Sequence, residues 1–383
     1  MKIAYIISMK KGLSGFNYRE INELQRKGLE IVLFPTKYGK GPYMPAKNWK
    51  LYRYNVFEII IKQFLYFIYM PKIYTNVLIE AIKTNTVIDA LLAFNFSLEM
   101  KRLNINRIHC HHGDHKFFIG YYCKKIINCK LTVTIHSHSL YVNPSWELFE
   151  RALNFCDKII SISKFNKDYL VDNFNISKSK ISVIRLSVNL PKKVEYNNVK
   201  NIKTNILVVG QWTERKDHKT LIKALSYINQ KEFQLWVVGS ESWDSNKSVD
   251  VPKYVRKFDL ESRTTFFGSV SDEKLHELYK KCDIFCLPSK TASDGVKEGI
   301  PVVLMEAMSY GKIVLSTKHA GIPELVEESL VEENNPLELS QVLDKLITDK
   351  SNRKERGQKN RQIIRQKYSS KNIDILFEEL IKR

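Results

Sequence analysis

Short apolar runs rich in β-branched residues alternate along the whole chain with longer segments whose apolar positions recur every three or four residues. In the first half IAYIIS (3–8), LEIVLF (29–34), RIHC (107–110), LTVTIH (131–136), KIISIS (158–163) and ISVIRL (181–186) read as strands. In the second half TNILVVG (204–210), FQLWVVG (233–239), TTFFGSV (264–270), DIFCLPS (283–289) and IVLST (313–317) repeat the scheme. Between the first two runs, NYREINELQRKG (17–28) has helical spacing and closes on Gly28. Strands alternating with helices predict an α/β chain built on parallel sheets. The polar, aperiodic stretch PKKVEYNNVKNIK divides it. This gives a first doubly wound domain over 1–190, a linker over 191–203, a second domain over 204–365 and a final helix over 366–383 packing back towards the first. Doubly wound domains bind ligands at the C-terminal ends of their strands, so a joined pair is expected to share a cleft.

Composition agrees with this division: 383 residues exceed one ordinary core. Cys110, Cys123, Cys129, Cys156, Cys282 and Cys286 form no CxxC pair and read as reduced thiols. The opening MKIAYIISMKKG has one lysine before a short apolar run and no cleavage site, so it reads as a buried strand rather than a leader. No run reaches the roughly 18 uncharged apolar residues of a membrane span, and a cytoplasmic or membrane-peripheral location is expected. Charge divides the chain unevenly. Residues 1–200 hold 31 Lys and Arg against 14 Asp and Glu, a formal +17, whereas the remainder is nearly balanced. The first domain is therefore expected to face something anionic. Residues 56–74, VFEIIIKQFLYFIYMPKIY, are crowded with Phe, Tyr and Ile but broken by Glu58, Lys62 and Lys72, and end near Pro71. Such a segment is either a core helix or an amphipathic helix lying in lipid headgroups.

The chemistry concentrates in DGVKEGIPVVLMEAMSYG, residues 294–311. Pro301 is placed as a first helical residue and Gly311 as the helix stop. Glu298 then lies in the loop before the helix, and Glu306 lies about 8 Å along its axis. The other positions are Val, Val, Leu, Met, Ala and Met, which predicts a helix buried nearly all round. A carboxylate there needs donors, either a neighbouring Arg or Lys or a ligand such as a ribose. Gly295, Gly299 and Pro301 bare the backbone at the helix start, where N–H groups and the dipole favour an anion. A nucleoside diphosphate across that start, with its ribose on Glu306, would use every feature.

The acid, seven residues, acid spacing of Glu298 and Glu306 is similar to the E-x7-E motif of the retaining glycosyltransferases of family four. KDHKTLIKAL (216–225), FQLWVVGS (233–240), TTFFGSVSDEKLHELYKKCDIFCLPS (264–289) and AGIPELVEE (320–328) resemble that family in order and spacing. SGFNYREINELQRKGLEIVLF, IHCHHGDHKFFIGYY and KLTVTIHSHSLY resemble its subgroup that builds bacterial exopolysaccharide, capsule and lipopolysaccharide. The resemblance covers nearly the whole chain. It implies the GT-B fold, two Rossmann-like domains facing a central cleft, and a hexosyl- or N-acetylhexosaminyl-transferase that needs no metal or other cofactor. Its donor would be a nucleotide sugar and its acceptor a hydroxyl of a glycan or lipid-linked glycan.

Residue by residue, the resemblance gives Glu306 the ribose, Glu298 the neighbourhood of the donor sugar and its diphosphate, and the backbone of Gly299, Ile300, Pro301 and Val302 the phosphates. Gly295, Val270 and Gly15 would line the donor. Lys216 stands where the family carries a phosphate-binding cation, chemically needed because the leaving diphosphate gains negative charge. The family's second cation is replaced by Gln211, so Arg215 is the candidate substitute. His136 matches the family's cleft histidine, expected to hydrogen-bond the donor sugar, with His138 able to stand in. His111, His112 and His138 are assigned to the acceptor side. His109, His111, His112, His115 and Asp114 lack usual zinc spacings, and no metal is expected. Two other readings stay open: a sugar-nucleotide epimerase of similar fold, and a basic binding module for nucleic acid or anionic surfaces. The chain carries no nucleic-acid motif, so no nucleic-acid partner is expected.

Overall fold

The computed structural model describes residues 1–194, 203–228, 232–241 and 248–382, so residues 195–202 of the expected linker lie outside the described residues. Two units emerge: Met1–Ser187 with the residues from Lys371 onward, and Val188–Ser370. The first division falls a few residues before the expected 190. The expected final segment, 366–383, would begin inside the helix Arg353–Lys367, and the division after Ser370 keeps that helix whole.

The first unit holds β1 (Lys2–Met9), β2 (Glu30–Tyr38), β3 (Lys50–Leu51), β4 (Arg107–His111), β5 (Lys130–Ile135), β6 (Lys158–Ser161) and β7 (Ile181–Val183). They form one parallel sheet in the order β3-β2-β1-β4-β5-β6-β7. Alternate side chains of β1 enter opposite cores, because successive Cβ atoms of a strand point to opposite faces. Ile3, Tyr5 and Ile7 pack with Ile21 and Leu24 of the helix Gly15–Arg26 and with Ile373, Leu376 and Leu380 of the helix Lys371–Ile381. Ala4 and Ile6 pack on the other face with Phe94 and Phe96 of the helix Val87–Arg102 and Phe117 and Phe118 of the helix His115–Ile127. Each such Phe contributes about 1.5–3 kcal/mol by leaving water. Coverage on both faces is why these strands read as unbroken apolar runs.

The second unit holds β8 (Thr204–Val209), β9 (Phe233–Val238), β10 (Thr264–Gly268), β11 (Ile284–Leu287), β12 (Ile313–Thr317) and β13 (Leu330–Val331). Their parallel order is β10-β9-β8-β11-β12-β13. Every expected strand is present. The two that the pattern missed, β3 and β13, are edge strands of two residues each, too short to show a period. In each sheet the winding reverses beside the unit's first strand, between β1 and β4 and between β8 and β11. Such switch points leave a crevice at the strand C-termini.

Residues 56–74 are not one helix. Met70, at φ −140° and ψ 52°, separates Val56–Tyr69 from Pro71–Lys83, and Pro71 opens the second helix instead of ending the first. Among the described residues no helix is long and apolar enough to cross a membrane. All six cysteines are buried and unpaired.

Candidate functional site

In the second unit, the chain leaves β8 through Gly210 and makes a tight turn, Glu214–Lys216, that ends on Asp217 at φ +45°. A Cβ on Gly210 would stand 3.3 Å from Lys216 Cδ, so the bare glycine lets the lysine stem lie over the strand end. On the other side of the switch point, the loop after β11 carries Glu298. Its Oε1 lies 2.8 Å from Arg215 Nε and its Oε2 lies 3.2 Å from Lys216 Nζ. The Arg215 contact is an ion contact off the hydrogen-bond direction, and Oε1 is left buried without an aligned donor. Burial pushes the Glu298 carboxyl up, but the Lys216 and Arg215 charges pull harder and hold it below the usual carboxylate range.

The loop is held from several sides. The Glu298 N–H donates to His319 Nε2 at 2.9 Å, and His319 Nδ1 lies 2.6 Å from Glu333 Oε1. An acceptor at Nε2 and a carboxylate at Nδ1 put the His319 proton on Nδ1. Glu333 also accepts the Thr291 N–H at 2.8 Å, and Glu214 accepts the Ser293 N–H at 2.9 Å. His319 and Glu333 were not singled out from sequence, although His319 stands immediately before the matched stretch AGIPELVEE.

The helix after the loop runs Val302–Ser309, one residue later than expected, with Pro301 as its extended cap. It is not buried all round. Leu304, Met305, Ala307 and Met308 are buried, while Val302, Val303 and Glu306 are half-buried along one stripe. Glu306 Oε2 accepts from Tyr279 OH at 3.1 Å. Tyr279, on the helix Asp272–Lys281, is a site residue the sequence did not reveal. Gly311 stops the helix at φ +65° and Gly295 turns the loop at φ +79°, whereas Gly299 uses no left-handed backbone. The Ile300 side chain is buried, so only its main chain could meet a ligand. Gln211 is exposed just past β8, and Val270 is half-buried just past β10. His218 begins the helix after Lys216 with neither ring nitrogen partnered; burial first and Lys216 second push its pKa down to about 3.

In the first unit, a second polar cluster sits at the other switch point. His111 ends β4, His136 follows β5, and Glu20 comes from the helix after β1. Glu20 Oε1 lies 2.9 Å from His111 Nε2, and His111 Nδ1 lies 3.2 Å from His136 Nε2. Tyr5 OH also donates to Glu20, at 3.3 Å. An ionised carboxylate only accepts, so His111 donates from Nε2 and is left with an acceptor at Nδ1. His136 then donates from Nε2, which leaves His136 Nδ1 as an acceptor. The His136 ring lies between Phe16 and His112, with centroids 5.0 and 4.4 Å away. Burial holds His136, His112 and His109 well below the ordinary imidazole range. His138 is exposed on the next turn. Gly15 lies in the first turn of its helix, where a Cβ would stand 3.2 Å from the Tyr43 ring.

The dense run of histidines is therefore dispersed. His109 bonds Thr132 at 2.8 Å and Thr134 at 3.1 Å, His111 bonds Glu20 and His136, and His115 bonds Asp89 at 2.8 Å. Glu20, His109 and His111 place potential ligand atoms within 4.8 Å of one another, and both ring nitrogens of each histidine and Glu20 Oε1 have hydrogen-bond partners within the protein. Glu20 was missed in the sequence because one acid in a polar helix looks like a solvated residue.

Residues 12–191 match the family described as Glycosyltransferase Family 4, and residues 191–363 match Glycosyl transferases group 1. The amylovoran biosynthesis glycosyltransferase AmsK of Erwinia amylovora is 33% identical over 154 residues, 39% of this chain and 37% of that protein. WcaL of Escherichia coli K12, named for colanic acid biosynthesis, is 34% identical over 174 residues, 43% of this chain and 42% of that one. The matched stretch spans less than half the length of either relative. Among solved structures, Anabaena Alr3699/HepE in complex with UDP-glucose superposes with a TM-score of 0.70 at 17% identity, covering 99% of this chain and 98% of that one.

The chain belongs to the glycosyltransferases, the Glycosyltransferase Family 4 and Glycosyl transferases group 1 matches together spanning residues 12–363. Its two Rossmann-like units, of seven and six parallel strands, are of the GT-B fold.

Proposed function

We propose that this chain moves a hexosyl or N-acetylhexosaminyl group from a nucleoside-diphosphate sugar to a hydroxyl of a cell-surface glycan or lipid-linked glycan, with retention and without a divalent metal. The observation that carries this reading is the Arg215–Lys216–Glu298 cluster at the switch point of the second unit. Two cations on a strand-end turn suit a diphosphate whose charge grows as the sugar leaves. The buried Glu298 Oε1 has room in its hydrogen bonding for a sugar hydroxyl. Glu306, half-buried and anchored on one oxygen by Tyr279, offers its carboxylate to a ribose. His136 presents a bare Nδ1 that accepts from a hydroxyl, so it orients and does not protonate. Retention means that the acceptor oxygen bonds to the anomeric carbon on the face the diphosphate leaves. The diphosphate oxygen released there takes the hydroxyl proton, and Lys216 and Arg215 hold the charge that remains.

A thermal-shift panel of UDP, GDP, ADP and their sugars tests the donor assignment. A ligand at 100 times its Kd stabilises the native state by about 2.7 kcal/mol, so one base should stand out. UDP is the first probe, since Alr3699/HepE is seen with UDP-glucose. No shift with any nucleoside diphosphate would remove the proposal.

A further inference from the structure

The helix Val56–Tyr69 is built the opposite way to an ordinary surface helix, which turns its apolar stripe to the core. Phe57, Ile61, Phe64 and Ile68 recur every three or four residues and are 78, 60, 65 and 65% exposed. The polar residues turn inward instead. Lys62 Nζ donates to Tyr52 OH at 2.8 Å, and Gln63 Nε2 donates to the carbonyls of Ile59 at 3.0 Å and Leu91 at 3.3 Å. Glu58 is held by Lys62, 3.7 Å away, and by Tyr52. Two of the residues that interrupt the apolar segment in the sequence, Glu58 and Lys62, therefore leave the outer stripe of this helix unbroken, and the third, Lys72, lies beyond its end. On the two helices that follow, Ile82 and Ile88 are also 67 and 75% exposed. Soluble monomers rarely expose so large a contiguous apolar surface without a partner.

Charge selects the partner. Across residues 56–83 the acids are Glu58 and Glu80, and both are engaged by the protein, Glu80 with Tyr121 at 2.7 Å and Lys125. Lys72 and Lys83 stand exposed near the two ends of the second helix. The first 200 residues carry a formal +17, so two copies meeting here would bring like charge together, whereas an anionic surface would be attracted.

We propose that the helices Val56–Tyr69 and Pro71–Lys83 dock the first unit on an anionic lipid surface. Phe57, Ile61, Phe64 and Ile68 enter the boundary between headgroups and acyl chains, and Lys72 and Lys83 contact the anionic headgroups. The helices lie in that layer and do not cross it, in accord with the lack of a spanning helix among the described residues. This goes beyond the transfer reaction and stands or falls without it.

Co-sedimentation with vesicles of phosphatidylcholine, alone and mixed with phosphatidylglycerol, tests the proposal on the full chain. The protein should pellet with the mixed vesicles, less with neutral ones and less at high salt. F57Q/F64Q/I68Q changes only exposed positions and should fold, as checked by its melting temperature. Each large side chain lost from the layer should weaken binding about tenfold, so the triple variant should stay in the supernatant. K72E/K83E should lose the preference for anionic vesicles. Wild-type protein left in the supernatant with every vesicle overturns the proposal, as does a folded triple variant that pellets like the wild type. Sedimentation velocity without lipid adds a further outcome. A wild-type dimer that the triple variant converts to monomer would assign the face to a second copy and defeat the lipid assignment.

Discussion

Replacing Glu298 by Gln removes one negative charge from between two cations while keeping the length of the side chain. Without ligand, Arg215 and Lys216 lose a carboxylate at 2.8 and 3.2 Å. Breaking a fully buried pair costs about 3–5 kcal/mol. Here the Arg215 and Lys216 side chains keep 28 and 14% of their surface and can turn to water, so about 1–2 kcal/mol is expected. A bound nucleoside diphosphate reverses the sign. At the proposed donor site the wild-type carboxylate would compete with the diphosphate for both cations; a like charge about 6 Å away, at an effective dielectric near 20, would oppose binding by about 2–3 kcal/mol before screening. The variant should therefore melt at a lower temperature alone yet bind UDP about tenfold more tightly, with transfer slowed. Scanning fluorimetry and titration calorimetry with UDP read both effects, and the gain in affinity should shrink at high salt. A folded variant whose UDP affinity is unchanged or weaker refutes the reasoning, because mere local damage would lower stability and affinity together.

Glu306→Gln should raise the donor KM with little change in kcat, since an amide offers one acceptor oxygen to two ribose hydroxyls. Tyr279→Phe, which removes a donor at 3.1 Å, should raise KM less and lower stability by about 0.5–1.5 kcal/mol; wild-type kinetics in both would displace the ribose from this stripe. His109, His112 and His136 are held well below their ordinary pKa and His218 is held at about 3, so the unfolded chain takes up protons first. Stability should be full above about pH 6.5 and fall towards pH 3, with His218 alone contributing about 1.4 kcal/mol per pH unit. Urea midpoints that stay level between pH 7.5 and 5 would contradict this. Transfer should survive excess EDTA; activity lost to chelator and restored by Mn²⁺ would overturn the metal-free proposal.

The parallel sheets were legible because buried strands write themselves as unbroken apolar runs. What sequence could not show was direction. The pattern of residues 56–69 gave composition, but not that Lys62 and Gln63 face inward, because tertiary partners from Tyr52 and Leu91 decide that. The same limit applied to the helix at Val302, where the apolar letters implied burial on every side and Glu306 proved to stand on an open stripe. Glu298 and Lys216 could be named from their motif. Glu20, Tyr279, His218 and His319 could not, since each gains its meaning from a residue distant in the chain or from burial alone.

The loop between β11 and the helix at Val302 is fastened at Ser289, Thr291, Ser293 and Glu298 by the protein itself. Ser289 O accepts from Thr317, the Thr291 N–H meets Glu333, the Ser293 N–H meets Glu214, and the Glu298 N–H meets His319. Freezing a free loop on binding costs about 1–2 kcal/mol per residue in backbone entropy. Here that ordering belongs to folding, so little of a nucleotide's interaction energy is diverted to it. Association should accordingly be limited by encounter and not by loop closure. The vulnerability moves elsewhere: His319→Ala, though it leaves Glu298 and both cations in place, would return the ordering penalty to the binding step.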